Sequence, residues 1–279
     1  MPLIRWLQFI LSHSIFISIC AVALCYQTFL LLHIPPNNYI YGLIFFSTLS
    51  SYNFYWLISK YYFNRDIPPV TFLIKQFSNT ALFIIAAAGV LYCMILLLGI
   101  LSYIVVAVLL TLLYSVPLWP VKKLEFTRKA GFLKTVLLSF TWTFVTVMIP
   151  VSQSPTVATS SIQLLFSARF LFMLMLCIIF DSRDIQVDKI HALRSLATDV
   201  SRQTLRIIMM VVFTAYLLCG FFLRYFFDNK AQIVAFLITG IVTFSVYRMS
   251  LKKQGYFFYY FLVDGLMLFS AIATFVATI

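Results

Sequence analysis

The chain has few charged residues and very few acidic ones. It holds 8 Asp and Glu against 20 Lys and Arg in 279 residues, and charged residues make up only 10% of it. A soluble domain has about 25% charged residues, so this composition, with 63% hydrophobic residues, predicts a polytopic membrane protein. The net charge of +12 is explained by cytoplasmic loops rich in Lys and Arg. We therefore expect membrane lipids, and no nucleic acid, as partners.

Cysteine pairs and a soluble extension are also lacking. The five cysteines lie scattered in apolar runs and form no C-x-x-C pair, which excludes a disulfide framework. The first apolar run, 7–32, is too long for the core of a signal peptide, and we expect it to be retained as a helix. The sequence predicts one integral-membrane domain over 1–279.

Nine apolar segments are each long enough for a bilayer span of about 20 residues. The predicted fold is therefore an all-α bundle of nine transmembrane helices. The segments are 7–32, 39–63, 73–98, 100–119, 132–150, 162–182, 205–227, 230–248 and 257–277.

The basic residues predict the orientation of these spans. With the N-terminus in the cytoplasm, 17 of the 20 Lys and Arg fall on the inner side. Arg224 and Lys230 fall outside, and Arg169 lies within the sixth span. This asymmetry predicts a cytoplasmic N-terminus and an outer C-terminus, in what we expect to be a bacterial inner membrane. The long loops, and any site built from them, then face the cytoplasm.

Three of the eight acidic residues follow the sixth span within eight positions, namely Asp181, Asp184 and Asp188. If the helix continues past Asp181, their offsets of three and seven place them on one face, within about 60° of arc and about 10 Å of rise. Like charges repel there, and the helix dipole disfavours anions at a C-terminal end. A bound cation explains the cluster, and Mg²⁺ suits carboxylate ligands. The alternative is a solvated acidic loop neutralised by Arg183 and Lys189.

Polar and basic residues mark the inner ends of two other spans. Asn53 and Lys60 are seven positions apart at the end of the second span, so they share a helix face. The pair Lys122 and Lys123 follows the fourth span, where headgroups or phosphates would lie. Ordinary interfacial residues and the preference for positive inner loops explain the same positions.

Arg169 lies twelve positions before Asp181, which is about 18 Å of helix. An arginine within a span is costly and usually faces the bundle interior. Three interpretations stay open: it bonds to backbone carbonyls, it snorkels to the interface, or it lines a polar cavity.

Taken together, these features resemble the UbiA superfamily of intramembrane prenyltransferases. The second aspartate motif of that family, D-x-x-D-x-x-x-D, is matched in full by Asp181, Asp184 and Asp188. The family often follows it with a basic residue, Thr, Leu and Ala, and Arg194 begins the run R-S-L-A, with Ser195 in place of Thr.

The family's Y-S-x-P-P before a basic loop is matched by Tyr114, Ser115 and Pro117, with Leu118 in place of the second proline. The resemblance covers nearly the whole chain in order and spacing. It implies a nine-helix fold with a cavity open to the cytoplasm.

The first motif of the family, N-D-x-x-D-x-x-x-D, is not retained. Asn53 matches its Asn, but the aspartate positions hold Phe54, Leu57 and Tyr61. No acidic residue occurs before Asp66. In the family the two motifs face each other and hold the magnesium ions that bind the prenyl diphosphate.

The resemblance implies Mg²⁺ on Asp181, Asp184 and Asp188, a bound polyprenyl diphosphate, and prenyl transfer to a lipophilic, aromatic acceptor. Lys122, Lys123 and Arg194 would contact phosphate oxygens, Asn53 would be a remnant ligand, and Tyr114 would be a substrate-binding residue. Lys60 is a further hypothesis, as a fixed ammonium that either contacts the diphosphate or pairs with one of the three aspartates.

Two alternatives stay open. The missing first motif favours a noncatalytic membrane scaffold or lipid-binding protein that keeps the UbiA fold. A small-solute transporter ranks last, because no pair of broken helices occurs in matching halves of the sequence.

Overall fold

The protein is described here from a computed structural model. It covers residues 2–62, 68–115, 131–154, 157–190, 196–223 and 230–279, with the backbone alone for 2–4, 62, 115 and 184–190. Within these ranges the chain forms helices joined by short turns and contains no strand. The predicted all-α class is confirmed.

Thirteen α-helices occur in the described ranges. They are α1 Pro2–Ser12, α2 Ile15–Leu31, α3 Asn38–Tyr62, α4 Pro69–Lys75, α5 Phe77–Leu96, α6 Leu101–Ser115, α7 Gly131–Thr143, α8 Ile149–Val151, α9 Thr159–Ile190, α10 Leu196–Asp199, α11 Arg202–Leu223, α12 Lys230–Ser250 and α13 Asp264–Val276. A 3₁₀ turn, Leu98–Ile100, precedes α6, and π-helical turns, Phe144–Met148 and Phe258–Val263, precede α8 and α13.

Six helical segments of the described ranges are long and apolar enough to cross a membrane. They are Phe77–Leu96, Gly131–Val151, Thr159–Arg183, Arg202–Leu223, Lys230–Ser250 and Phe258–Val276. The broken pair Arg5–Ser12 and Ile15–Leu31, bent by 67°, makes a seventh if it is one span. The chain is thus an integral, multi-pass membrane protein, and the count of nine spans stays a prediction.

Helix α9 lies at the centre of the bundle. In the most apolar stretch of α9, 61% of the residues are buried, whereas the corresponding share in α5, at the periphery, is 17%. The larger core cluster packs side chains of α9, among them Met175 and Ile179, against α2, α11 and α13. The helix that carries the three aspartates is therefore the one held most firmly by its neighbours.

Small hydroxyl side chains let α7 approach α9. Gly131, Thr135, Ser139 and Thr143 recur every four residues and are all buried. The Ser139 and Thr143 hydroxyls each donate to the carbonyl four residues earlier, at 2.9 and 2.8 Å. This satisfies their polarity within the helix, and their small size permits close contact between helices in a membrane.

Arg169 joins three helices in the interior. Its guanidinium is only 4% exposed and donates to the Leu24 carbonyl at 3.1 Å and to Gln27 Oε1 at 2.7 Å, both on α2. The Gln27 amide nitrogen donates onward to Ser270 Oγ and Thr274 Oγ1 of α13, at 3.0 and 2.7 Å. The interpretation that Arg169 bonds to a backbone carbonyl is confirmed.

This network predicts an asymmetric mutational response. In Gln27→Leu a buried guanidinium loses an acceptor, and a hydrogen bond to a charged group contributes about 1.5–3 kcal/mol. In Arg169→Met the charge itself is gone, and only neutral acceptors, the Leu24 carbonyl and Gln27 Oε1, lose a donor, which costs less than leaving a charged group unbonded. We expect Gln27→Leu to lower the thermal stability in detergent more than Arg169→Met does.

The double variant Arg169→Met/Gln27→Leu is the control. We expect it to be more stable than Gln27→Leu alone, because no buried charge is left short of a partner. Equal losses in the two single variants, adding up in the double variant, would contradict the network.

Candidate functional site

The three aspartates of the sequence motif lie on one continuous helix. Helix α9 extends beyond its apolar part to Ile190, so the predicted continuation of the helix past Asp181 is confirmed. The backbone places Asp181, Asp184 and Asp188 at helical offsets that share one face. The side chains of Asp184 and Asp188 lie outside the described residues, and Asp181 is the member whose contacts are known.

Asp181 is held by a hydroxyl of α7. Its Oδ2 accepts a hydrogen bond of 2.6 Å from Thr135 Oγ1. The same hydroxyl also lies 3.2 Å from the Gly131 carbonyl, but it has one hydrogen to donate. The shorter distance is typical of an O–H group bonded to a carboxylate, so Thr135 fixes Asp181 against α7.

Cys177, one helical turn before Asp181, marks where three helices converge. The thiol interacts with Ser139 of α7 and lies within electrostatic range of Asp181, Lys134 and Asp264. The start of α7, the C-terminal part of α9 and the start of α13 therefore meet at this level of the bundle.

Aromatic side chains from α3 and α6 reach the same level. Tyr52 lies within electrostatic range of Tyr114, Cys177 and Asp264, and its ring centroid is 6.4 Å from that of Trp142. Tyr114, a predicted substrate-binding residue, is likewise close to Cys177. Tyr114 is thus brought near the aspartate motif, as its predicted role requires.

Arg183 lies among aromatic rings. Its guanidinium carbon is 5.3 Å from the Phe180 centroid, 5.2 Å from that of Tyr259 and 5.0 Å from that of Tyr260. These distances are within the range of cation–π attraction. Its charge also acts on Asp264, so Arg183 links the end of α9 to the start of α13.

Asn53 is used in helix packing. It is 1% exposed, and its Nδ2 donates to the Leu49 carbonyl at 2.9 Å and the His13 carbonyl at 3.1 Å. The second bond ties α3 to the break between α1 and α2. Both amide hydrogens are thereby satisfied.

The side chains at the replaced aspartate positions pack against other helices. Phe54 stacks on Phe83 of α5 with centroids 5.4 Å apart, and Tyr61 meets Phe72 of α4 edge-on at 5.3 Å. Leu57 is buried. This part of α3 has become an apolar contact surface for α4 and α5.

The side chain of Lys60 contacts a ring of its own helix, α3. Its ammonium is 3.7 Å from the centroid of the Trp56 ring, which is a close cation–π contact. Its predicted role beside the diphosphate stays a prediction. Three further predicted site residues, Lys122, Lys123 and Arg194, and also Asp66, lie outside the described residues.

The metal prediction rests on the aspartates of α9. Among the residues with described side chains, no three His, Cys, Asp or Glu are grouped so that they could hold a metal ion. Because Asp184 and Asp188 are not among those side chains, magnesium binding by the motif stays a prediction.

The sequence interpretation missed Asp264. This residue begins α13 and is 4% exposed. The sequence does mark this position, because Asp264 is an acidic residue inside the apolar segment 257–277. An ionisable residue within a span is a functional candidate by default.

Comparison with known proteins bears on the fold. No family model and no curated protein matches the chain. Among solved structures, it is similar to the apo structure of a UbiA homolog from Aeropyrum pernix K1, with a TM-score of 0.66 over 93% of this chain and 96% of that chain. The fold is UbiA-like. Since the two sequences are 14% identical, the similarity establishes the UbiA-like architecture and not a shared substrate.

The Thr135–Asp181 contact predicts a stability difference between two equivalent substitutions. Thr135→Val removes a hydrogen bond to a carboxylate, for which about 1.5–3 kcal/mol is expected. Thr143→Val, on the same buried face of α7, removes a hydroxyl that bonds to the carbonyl of Ser139 in its own helix. We expect a larger fall in thermal stability for Thr135→Val.

The background variant Asp181→Leu tests the origin of that difference. In it, Thr135→Val and Thr143→Val should cost about the same, because the carboxylate is absent from both. A difference that persists in this background would show that Asp181 is not its cause.

Proposed function

We propose that the protein is an intramembrane prenyltransferase. It binds a polyprenyl diphosphate together with Mg²⁺ and transfers the prenyl group to a lipophilic, aromatic acceptor. The observation that carries the proposal is the continuous helix through Asp181, Asp184 and Asp188 in a UbiA-like fold. Three carboxylates on one face at a helix C-terminus are unfavourable without a cation.

The donor set fits magnesium. Carboxylates are hard oxygen ligands, and Mg²⁺ binds through one or two of them with water and phosphate oxygens completing its shell. Thr135 holds one oxygen of the Asp181 carboxylate in place. When bound, the ion supplies positive charge that stabilises a departing diphosphate.

The chain's own basic residues complete the diphosphate site in this proposal. Lys122, Lys123 and Arg194 contact phosphate oxygens, and Asn53 contributes its carbonyl oxygen. Lys60 contributes a fixed positive charge on the side from which the aspartates of α3 are missing. The site lies at the cytoplasmic ends of nine spans, with the N-terminus inside.

Aromatic rings support the carbocation in this proposal. Tyr52 and Tyr114 lie within electrostatic range of Cys177, about one turn deeper than Asp181, and Trp142 lies beside Tyr52. Ring faces attract cations most strongly when water is excluded. The allylic cation formed at the diphosphate end is therefore stabilised on its membrane side by these rings, and the acceptor approaches there.

A noncatalytic scaffold with the same fold is the second candidate. The observation in its favour is on α3, where Phe54 and Tyr61 occupy aspartate positions and pack on Phe83 and Phe72. A surface built for helix packing has no need of a ligand. Magnesium-dependent binding of a prenyl diphosphate separates the two candidates.

The proposal predicts ligand-dependent stability. The purified protein in detergent is heated with a prenyl diphosphate, with and without Mg²⁺. A ligand at 100 times its dissociation constant stabilises the native state by about 2.7 kcal/mol. We expect a rise in midpoint temperature that needs both Mg²⁺ and the diphosphate, and that is lost in Asp184→Ala.

Asp199→Ala is the matched control, because it removes an exposed acidic residue of the neighbouring helix α10. It should keep the full shift. In addition, Asp181→Ala and Asp184→Ala should each abolish magnesium-dependent release of diphosphate. The absence of a shift for every prenyl chain length would overturn the proposal and favour the scaffold.

A further inference from the structure

Helices α11 and α12 pack as an antiparallel pair. Phe213 stacks on Phe244 with ring centroids 4.6 Å apart, and Tyr216, about one turn further along α11, stacks on Phe236 at 4.1 Å. The residue number on α12 falls as the number on α11 rises, so the two helices run in opposite directions. The start of α11 therefore lies beside the end of α12, and in the predicted orientation this is the cytoplasmic end of both.

This end of the pair carries a concentration of positive charge. Five basic side chains are exposed there, namely Arg202 and Arg206 at the start of α11 and Arg248, Lys252 and Lys253 at the end of α12. The stretches 199–206 and 248–253 contain one acidic residue, Asp199. An excess of basic residues at the membrane surface attracts anionic groups.

Tyr247 lies within reach of an arginine from each helix. Arg206 and Arg248 both act electrostatically on its phenol. The side chain is 2% exposed, and its Oη has no hydrogen-bond partner among the described residues. Buried polar groups are nearly always bonded. The preference for positive inner loops explains the arginines, but it does not explain a buried phenol beside them that has no partner.

We infer that this end of the α11–α12 pair binds the phosphate group of an anionic phospholipid. Arg206 and Arg248 pair with the phosphate oxygens, and the Tyr247 hydroxyl donates to one of them. Phosphate oxygens only accept, and all three of these side chains donate. Because both arginine side chains are long and exposed, they can turn so that a phosphate reaches the phenol. Helix α12 supplies no side chain to the diphosphate site proposed above, so this inference goes beyond that function.

The apolar surface beside the cations identifies the ligand as a lipid. Ile207 and Val211 of α11 and Met249 of α12 are large hydrophobic residues, and all three are exposed. They belong to segments that are apolar enough to span the membrane. A free phosphate ion would use the basic residues alone. A phospholipid uses both surfaces, since its acyl chains lie along the apolar residues while its headgroup lies at the cations.

The test measures how lipids change the thermal stability of the full chain in a nonionic detergent. Dioleoyl phosphatidylglycerol is added at increasing mole fraction, at constant ionic strength. Dioleoyl phosphatidylcholine, which has the same acyl chains and no net charge, is added in a parallel series, and sodium phosphate without lipid is the third arm. We expect a saturable rise in midpoint temperature with phosphatidylglycerol that neither of the other two additives reproduces.

A matched pair of double variants locates the charge. In Arg206→Gln/Arg248→Gln, the mole fraction of phosphatidylglycerol that gives half of the rise should increase at least about tenfold, because two basic residues near an anionic lipid are lost. Lys75→Gln/Lys230→Gln removes two exposed cations from the end of α4 and the start of α12. It changes the net charge equally and should keep the wild-type value.

Tyr247→Phe separates a ligand-binding role from a structural one. Without lipid, its midpoint temperature should equal or exceed that of the wild type, because the hydroxyl has no partner to lose. Its half-maximal response to phosphatidylglycerol should need a several-fold higher mole fraction. A structural tyrosine would give the opposite result, with a lower midpoint temperature without lipid and an unchanged lipid response.

The outcomes also separate this inference from the proposed function. Asp184→Ala should lose the magnesium-dependent shift with prenyl diphosphate and keep the full response to phosphatidylglycerol. An equal response to the two lipids, a full response to sodium phosphate, equal behaviour of the two double variants, or an unchanged lipid response in Tyr247→Phe would each overturn the inference, even if diphosphate binding were confirmed.

Discussion

The interior of a membrane offers no water, so each polar side chain placed there must find its partners within the protein. Arg169 shows how this requirement shapes the bundle. Its guanidinium draws α2 against α9, and Gln27 extends the same network to α13. The helix with the aspartate motif and the helix that begins at Asp264 are thereby tied to a common neighbour.

The same requirement separates two kinds of buried residue. The Thr143 hydroxyl of α7 bonds to a carbonyl of its own helix, whereas Thr135 donates to Asp181 of α9 and Ser139 interacts with Cys177 of α9. Asn53 donates to two backbone carbonyls and locks the start of α2 against α3. Four buried polar atoms of the described residues have no hydrogen-bond partner, namely Tyr41 Oη, Asn79 Oδ1, Gln232 Oε1 and Tyr247 Oη.

Much of the architecture could be predicted from the sequence, because apolar length and charge spacing are local signals. The continuation of α9 past Asp181 followed from the offsets of Asp184 and Asp188, and the UbiA-like fold from the ordered motifs. The partners of Arg169 could not be predicted, since Gln27 is 142 residues away along the chain. Thr135 was missed for the same reason. Asp264 could have been singled out from the sequence, because it is an acidic residue in an apolar segment.

The absence of carboxylates at positions 54, 57 and 61 of α3 sets the charge balance of the proposed diphosphate site. Phe54 and Tyr61 are committed to rings of α5 and α4, so α3 offers a ligand no carboxylate at those positions. A site with one set of carboxylates has fewer anionic groups to hold metal ions than a site with two. In the proposed site, lysine and arginine side chains, which bind phosphate oxygens directly, would then supply a larger part of the positive charge beside the magnesium held by the aspartates of α9.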